Sequence, residues 1–194
     1  PYIFQTNFLK KCCSEFSTII CSSDIQKNKI KEINKNVFSI PDLFEIMDQK
    51  PVLNSNKKIH IFWEGLGVSS LYLYNLMKLI KKNKKDLEIV FVICSDKYFY
   101  KFYNKFLKID LVKYLKKINP DIIFYDWSIK NLIEASSMCD LAVIPLNLNN
   151  RIVKYKNSNK LILMWKLGLL TITSSSPSYK KEMHNVGQNF YCNT

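Results

Sequence analysis

The sequence predicts an α/β protein: a doubly wound parallel sheet preceded by a fragment of a second α/β domain. Two observations carry this prediction. From about residue 57 onward, short apolar runs alternate with stretches of helical periodicity. The runs are apolar throughout, as in LEIVFVIC at 87–94, which is expected of strands that helices cover on both faces. A chain of 194 residues, 47% of them apolar, is long enough to bury such a core.

The first part of the chain, residues 1–50, is predicted to be the end of an N-terminal α/β domain with its linker. EFSTIICSS is typical of a strand, DIQKNKIKEI of a helix that begins with Asp24, and NVFSIPD of a strand that turns at Pro41. In residues 47–58, Pro, Asn and Lys replace periodic apolar residues, which is typical of a linker. We therefore expect the domain boundary there.

The second part, residues 57–194, is predicted to be a Rossmann-like domain in which strands and helices alternate. Strands are expected in KIHIFWEG, LEIVFVIC, DIIFYDW, DLAVIPL and LLTITSS. Helices are expected in SSLYLYNLMKLIKKNKK, in IKNLIEASSMC and in residues 157–167, the last closed by Gly168. KYFYKFYNKFLKIDLVKYLKKI is interpreted as one long helix or two. The crossovers between parallel strands should be right-handed.

A sheet of this kind binds ligands at the carboxyl ends of its strands. Because the strands are parallel, the loops that follow them meet at one edge of the sheet. We therefore expect functional side chains in the loops 64–69, 126–129, 145–157 and 174–179.

The first of these loops holds Gly65, Leu66 and Gly67, with Ser69 or Ser70 as the expected cap of the next helix. Glycines allow backbone N–H groups to approach a ligand closely, and a helix N-terminus favours an anion. The complete G-x-G-x-x-G pattern is absent, because residue 70 is Ser. The alternative is an ordinary turn between a strand and a helix.

The segment NRIVKYKNSNKLILMWKLGLLTIT, residues 150–173, gathers polar and basic side chains where a helix is predicted to begin. They are Lys154, Lys156, Ser158, Asn159 and Lys160. Lys156 and Lys160 share a helix face, on which their charges repel each other unless an anion lies between them. The helix amides and the two ammonium groups would suit a diphosphate. The alternative is a solvated, lysine-rich loop.

Two further loops offer side chains to a ligand. Asp126 and Trp127 end the third strand of the second domain, where Trp127 could flank a flat base or equally cap the core. SSSPSYKKEM at 174–183 places small hydroxyl side chains, Ser176 among them, where they can approach a sugar or a phosphate. Pro177 can start a short helix there, and the alternative is again an ordinary turn.

The net charge of +13 favours an anionic partner: nucleic acid, anionic lipid or a phosphorylated substrate. Arg151 is the only arginine and the lysines are scattered, which argues against nucleic acid. The alternative explanation is composition, because Lys, Asn and Ile are heavily used together, as an AT-rich genome would produce.

Metal and thiol chemistry are not predicted. The six cysteines form no C-x-x-C pair, which argues against a zinc site and for reduced cytosolic thiols. His60 and His184 form no pair, and His60, inside a strand, is expected to be a satisfied core histidine. The sequence contains no recognisable set of nucleophile and histidine, no signal peptide and no membrane-spanning run.

The order of these segments resembles a known family. DWSIKNLIEASSMCDLAVIPLNLNNRIVKYKNSNKLILMWKLGLLTITSSSPSYKKEM resembles the C-terminal, donor-binding half of GT-B glycosyltransferases of the glycosyl transferases group 1 (family 4-like) kind. FWEGLG resembles the glycine loop that starts the same domain, so that the resemblance covers roughly residues 58–194. The matching motifs are D-[ILV]-[AG]-[ILV]-x-P at Asp140 to Pro145, K-S-N-N-[KR]-L at Lys156 to Leu161, a G-x-P-V-V-A-type strand at Gly168 to Thr173 and P-S-Y-x-E at Pro177 to Glu182.

The resemblance implies a cleft that binds a nucleotide-diphosphate sugar as substrate and needs neither cofactor nor metal. Lys160 matches the family's basic residue beside the diphosphate; Lys160 and Lys156 are the predicted catalytic residues, which would assist the departing diphosphate. The predicted donor-binding residues are Gly65, Leu66, Gly67, Asp126, Trp127, Ser158, Asn159 and Ser176.

The resemblance leaves the acceptor unknown, and a cell-surface polysaccharide or a lipid-linked molecule would suit this family. A cytoplasmic location is expected. Peripheral contact with the anionic inner face of the membrane is a further hypothesis, because positive charge beside the cleft would hold the enzyme where lipid-linked acceptors lie.

The chain also departs from the family. Leu163 stands where many relatives carry the glutamate that bonds the ribose, Tyr155 stands where they carry its partner glutamate, and Leu169 and Leu170 replace the usual Pro after Gly168. By the resemblance, most of the acceptor-binding domain and the family's last helices would lie outside this chain, so we expect this piece alone to bind donor weakly and to transfer little. The alternatives are a non-catalytic nucleotide-binding or interaction module of the same fold and a basic α/β domain that binds nucleic acid.

Overall fold

The structure is a computed structural model, which describes residues 2–40, 46, 48–49, 51, 58–83, 87–101, 107–150, 153 and 156–192. The strands are β1 Ile19–Cys21, β2 Val37–Ser39, β3 Ile59–Glu64, β4 Ile89–Ser95, β5 Tyr98–Lys101, β6 Leu107–Asp110, β7 Ile122–Asp126, β8 Leu141–Ile144, β9 Leu170–Ser174 and β10 Tyr191–Cys192. The helices are α1 Tyr2–Glu15, α2 Asp24–Ile30, α3 Ser70–Asn83, α4 Leu111–Lys116, α5 Ile129–Ser137, α6 Asn159–Lys166 and α7 Pro177–Asn185. A short 3-10 helix, Gly67–Ser69, leads into α3.

The main sheet is parallel, with the strand order β10-β9-β8-β3-β4-β7. The chain starts in the middle at β3 and moves outward through β4 to β7. It then crosses back to β8 on the other side of β3, where Ile61 pairs with Leu141, and moves outward again. The order therefore reverses between β3 and β8, and this is the place where parallel sheets open a crevice at their carboxyl ends.

Apolar side chains bury both faces of this sheet. Successive residues of a strand point to opposite faces, so Phe62 and Val92 pack with α5 and α6, whereas Trp63 and Phe91 pack with α3 and α4. Phe62 is fully buried and Phe91 nearly so. The prediction of a doubly wound α/β sheet is confirmed, and the burial on both faces explains why the strands are apolar without alternation.

Outside residues 97–118, the predicted elements of the second part are confirmed with small differences in length. The five expected strands are β3, β4, β7, β8 and β9, and a sixth, β10, extends the sheet at its edge. The helix expected at 157–167 is α6, and Gly168 ends it in the left-handed conformation at φ 75°.

The prediction of one long helix or two for residues 97–118 is wrong in its first half. Residues Tyr98–Lys101 and Leu107–Asp110 form an antiparallel hairpin, and only the following segment is a helix, α4. The reason lies in a two-residue alternation: Tyr98 and Tyr100 are exposed, while Phe99 between them is buried. The Asp110 carboxylate then accepts a hydrogen bond from the Lys113 amide and so caps α4.

The N-terminal fragment contains the predicted strand-helix-strand unit. β1 and β2 form a parallel pair joined by α2, in which the Ser23 hydroxyl accepts from the Gln26 amide. Helix α1, which precedes them, was not predicted from the sequence. Pro41, Lys154 and most of the expected linker at 47–58 lie outside the described residues, and the domain boundary stays a prediction.

His60 differs from its expectation. It lies in β3, where its amide donates to an Asp140 carboxylate oxygen at 2.7 Å, but its Nδ1 is buried without a hydrogen-bond partner among the described residues. The nearest carboxylate oxygen, on Asp140, is 3.9 Å away, too far for a hydrogen bond. His60 is therefore not a fully satisfied core histidine.

Candidate functional site

A cavity of about 620 Å³ lies at the carboxyl ends of β3 and β8, where the strand order reverses. Its volume is in the range of sites that bind nucleotide-sized molecules. The lining combines aromatic and apolar side chains with a few polar groups. It consists of Gln26, Ile46, Trp63, Glu64, Ser69, Tyr72, Trp127, Ile129, Leu132, Ile144, Pro145, Leu146, Lys156, Asn157, Asn159, Lys160, Leu163 and Tyr179.

Lys160 is tied to the end of β3. Its ammonium group donates to the backbone oxygen of Glu64 at 2.7 Å and lies 3.0 Å from a carboxylate oxygen of the same residue. The Glu64 side chain is 13% exposed and that of Lys160 32% exposed. The pair is thus largely withdrawn from water, and the first turn of α6 is held against the tip of β3.

The glycine loop serves two different contacts. A Cβ at Gly65 would lie 3.0 Å from the Lys160 Nζ and 2.9 Å from the Trp63 ring, so glycine lets the ammonium group rest over the loop. The Ser95 hydroxyl, at the end of β4, donates to the Gly65 backbone oxygen and so holds the glycine loop against the neighbouring strand. A Cβ at Gly67 would lie 2.7 Å from the Phe99 Cβ, so this glycine serves packing against the hairpin.

The start of α3 differs from its prediction. The Ser70 hydroxyl, one of the two expected caps, is buried and has no hydrogen-bond partner among the described residues. The helix instead follows a 3-10 turn in which the Ser69 amide donates to the Leu66 oxygen at 2.8 Å. Ser69 lines the cavity, while the Leu66 side chain is exposed.

Lys156 stands at the mouth of the same cavity, just before α6. Desolvation lowers the pKa of its ammonium group from the ordinary value, and the nearby charge of Lys160 lowers it further. Part of the long side chain remains exposed. The backbone is anchored, because the Lys156 oxygen accepts from the Ser178 hydroxyl. Two ammonium groups that repel each other at one cavity wall favour an anion between them.

Within the part of the chain that the structure describes, the residue at the capping position of α6 makes no side-chain cap. Ser158 occupies the capping position, but its φ and ψ of −87° and 4° are not extended, and its hydroxyl caps nothing. It lies 3.4 Å from a Glu182 carboxylate oxygen instead. The serines that precede α2, α5 and α7 do cap their helices: Ser23, Ser128 and Ser176. The first-turn amides of α6 therefore stay available beside Lys160 and Asn159.

The structure does not bring all the predicted site residues together. Lys156, Lys160, Asn159 and Trp127 line the cavity, and Trp127 is 53% exposed at its rim. The other predicted residues are not among the lining residues: Gly65, Leu66, Gly67, Asp126, Ser158 and Ser176. Asp126 is exposed at the end of β7, with its backbone oxygen accepting from the Asn131 side chain, and Ser176 is buried as the cap of α7.

Most of the other lining residues were not predicted from the sequence, Glu64 and Tyr179 among them. Glu64 directly precedes the glycine loop, and its place at the end of a predicted strand was a usable signal. Tyr179 lies in the P-S-Y segment that resembles the family motif, and burial raises the pKa of its phenol, with the charge of Glu64 raising it further. That Tyr179 turns into the cavity could not be deduced without knowing how α7 packs.

The N-terminal fragment contacts the same region. Gln26 of α2 lines the cavity, and the Asn157 side chain donates to the Ser22 hydroxyl at 2.8 Å. Lys181 and Asp24 form an ion pair at 2.7 Å, and this pair lowers the pKa of Asp24 and raises that of Lys181. Both partners are about half exposed, so the ion pair itself adds little stability.

Other kinds of site are not seen in the part of the chain that the structure describes. No group of three or more His, Cys, Asp or Glu side chains there is arranged to hold a metal ion. Among the described helices, none has both the length and the apolar content needed to cross a bilayer.

The fold is similar to that of a solved structure, TarM, a glycosyltransferase of the GT-B type. The two superpose with a TM-score of 0.65 over 97% of this chain, at 10% sequence identity. The chain spans 36% of the length of TarM. The chain therefore shares the α/β fold of that part of TarM, and at this identity the likeness concerns the fold alone.

Sequence comparisons do not assign a family. No protein-family model matches the chain. The DNA-directed RNA polymerase subunit beta of Carsonella ruddii (strain PV) is 30% identical over 158 residues, which is 74% of this chain but 12% of that subunit. Because so small a part of the subunit is matched, the similarity carries no conclusion about what this chain does.

Proposed function

We propose that this chain is the donor-binding part of a glycosyltransferase and that its cavity binds a nucleotide-diphosphate sugar. One observation carries the proposal. Lys160 rests over Gly65, and the uncapped start of α6 meets the same cavity wall at the end of β3. Helix amides and ammonium groups that converge at one point are suited to a diphosphate.

The proposed chemistry is leaving-group stabilisation. As the bond between the sugar and the diphosphate breaks, negative charge develops on the diphosphate oxygens. Lys156 and Lys160 stabilise this charge, and the α6 amides add a fixed dipole, all in a partly dehydrated cavity where charges interact strongly. In this proposal the two lysines are the catalytic residues, and the chain itself uses no metal or cofactor.

The rest of the cavity suits the other parts of such a donor. Trp127 and Tyr72 offer aromatic surfaces against which a base can stack, and Ser69 and Asn159 offer polar contacts. Gln26, from residues 1–50, also lines the cavity, and we propose that an acceptor approaches from that side. We propose a cell-surface polysaccharide or a lipid-linked molecule as the acceptor, and the cytoplasmic side of the membrane as the location.

A non-catalytic nucleotide-binding module of the same fold is the second candidate, and one residue favours it. Leu163 is buried in the cavity wall, and it stands where the resemblance would place a ribose-bonding glutamate. A site that has lost that contact could hold a nucleotide without turning it over. Both candidates require nucleotide binding, and only the first requires hydrolysis or transfer of the sugar when an acceptor domain is supplied.

Calorimetric titration of the chain with UDP and with GDP tests the proposal. We expect one of them to bind and the variant Lys160→Ala to weaken that binding by roughly tenfold to a hundredfold, because a charge-assisted contact is lost. Lys116→Ala is the matched control, since Lys116 is an exposed lysine at the end of α4 and outside the cavity lining. No binding of either nucleotide, or equal losses in the two variants, would refute the proposal.

A further inference from the structure

We infer that Glu64 binds the ligand directly, by accepting hydrogen bonds from hydroxyl groups that lie next to the diphosphate. The inference rests on the proposed function and adds a requirement to it: the ligand must carry a hydroxylated ring, a ribose or a transferred sugar, close to its phosphates. Glu64 was not among the residues predicted from the sequence to contact a ligand.

Glu64 is the one carboxylate among the described residues that line the cavity. It ends β3 at the switch point, between the buried Trp63 and the glycine loop. Its charge reaches the Tyr179 phenol, whose pKa it raises. Glu64 is therefore a mostly buried carboxylate in a site whose other charged groups among the described lining residues are Lys156 and Lys160.

The Glu64 carboxylate can accept more hydrogen bonds than the described residues donate to it. A carboxylate offers about four acceptor positions, and the structure records one partner for this one, the Lys160 ammonium at 3.0 Å. The remaining positions are accessible from the cavity, because neither Glu64 carboxylate oxygen is among the buried polar atoms without a partner in the described part of the chain. A ligand with hydroxyl donors satisfies them, and a vicinal diol satisfies two at once.

A counterion role alone does not account for the arrangement. Lys160 also donates to the Glu64 backbone oxygen at 2.7 Å, so the carboxylate is not its only partner at this point of the cavity wall. A carboxylate beside a diphosphate repels it and weakens anion binding. The unfavourable charge is offset when the same ligand brings hydroxyl donors, so Glu64 favours a sugar-bearing diphosphate over a bare one.

The experiment compares Glu64→Gln with the unaltered chain by calorimetry, using inorganic pyrophosphate, UDP, 2′-deoxy-UDP and UDP-glucose, and the guanosine set GDP, 2′-deoxy-GDP and GDP-mannose. Glutamine keeps the shape and one acceptor oxygen but removes the charge. Pyrophosphate should bind as tightly or more tightly to Glu64→Gln. The preference for the best nucleotide ligand over pyrophosphate should fall by roughly tenfold, because charge-assisted hydrogen bonds are lost.

The arms of the experiment separate the two sources of hydroxyl groups. If the ribose is the donor, the 2′-deoxy analogue binds more weakly than its parent to the unaltered chain and equally to Glu64→Gln. If the transferred sugar is the donor, the gain of the nucleotide sugar over the nucleotide disappears in the variant instead. Glu88→Gln, the same exchange at an exposed pair on the opposite edge of the sheet, should change neither preference.

The outcomes distinguish this inference from the proposed function. If the unaltered chain binds neither pyrophosphate nor any nucleotide, the proposed function fails. If it binds pyrophosphate but prefers no nucleotide ligand, or if Glu64→Gln leaves that preference intact, the diphosphate site stands and the role of Glu64 is overturned. Thermal unfolding of Glu64→Gln checks that both chains are folded at the titration temperature.

Discussion

At the scale of single residues, the two lysines of the cavity wall are not equivalent. Lys160 is paired with Glu64, whereas the pKa of Lys156 is lowered, first by desolvation and then by the charge of Lys160. Lys156 is therefore expected to lose its positive charge at a lower pH than an ordinary lysine does. An anion between the two lysines would favour the charged form of both.

This difference predicts a pH dependence of binding. UDP affinity should fall as the pH rises toward the ordinary lysine value of 10.5, because the ammonium of Lys156 loses its proton below that value and binding needs it charged. Lys156→Arg should keep its affinity over the same range, since arginine stays protonated. Titrations of both chains across this range measure the effect, and the ligand's own ionisation cancels in the comparison. Parallel losses in the two chains would contradict the assignment.

Residue by residue, the sequence predicted the site only in part. Charge, helix spacing and position at a strand end can be read from the sequence itself. These features allowed four lining residues to be predicted: Trp127, Lys156, Asn159 and Lys160. Glu64 was missed because its role depends on Lys160, which is distant in sequence and meets it only after the sheet has formed. The predicted roles of the lysines remain predictions.

At the scale of elements, the start of α6 is the feature on which anion binding depends. Its Ser158 does not cap the helix, although the serines before α2, α5 and α7 do so in theirs. The absence of a cap leaves the first-turn amides to an incoming anion. The first turn of α6 is therefore less stable than it would be with a side-chain cap.

Ser158→Asp tests whether the first-turn amides bind the anion. A carboxylate at this position would add negative charge beside those amides and should weaken UDP binding by roughly tenfold. It would also face the Glu182 carboxylate, so we expect no gain in the free energy of unfolding. Ser158→Asn is the control, because asparagine adds no charge and should weaken binding less. Chemical denaturation and calorimetry give the two quantities. Unchanged UDP affinity in Ser158→Asp would show that the amides are not used.

The elements that the sequence predicted well are those whose pattern depends on burial. β4 and β8 are almost entirely apolar because helices cover them on both faces, and this pattern can be read from the sequence. The hairpin Tyr98–Asp110 was misassigned as helix, since its aromatic and lysine residues fit either periodicity when each is counted loosely. The strand conformation buries Phe99 against Gly67. This contact forms only in the folded chain, so it could not be predicted from the sequence.

At the scale of the whole molecule, the +13 charge and the cavity together suggest where the protein works. We expect the chain to sediment with vesicles that contain phosphatidylglycerol at low salt, because each lysine near an anionic surface contributes about 1 kcal/mol. Pure phosphatidylcholine vesicles are the control, and added salt should release the protein. Absence from the phosphatidylglycerol pellet at low salt would remove the membrane proposal and leave the site proposal untouched.

The overall α/β architecture could be predicted from the sequence, but the contacts between the first and second parts of the chain could not. Alternating elements and buried strands predicted the doubly wound sheet, which the similarity to TarM supports. Gln26 and Lys160 line the same cavity because residues distant in sequence pack together. Such packing produces no periodic pattern in the sequence, so it could not be predicted. The expected domain boundary at residues 47–58 stays a prediction.

The most direct test of the diphosphate site is amide NMR during a titration with pyrophosphate. Shifts should concentrate at Asn159 and Lys160 in the first turn of α6 and at Gly65 in the loop that faces it, and they should saturate together. Shifts confined to the opposite edge of the sheet, around Glu88 and Asn119, or spread over exposed lysines without saturation would contradict the account.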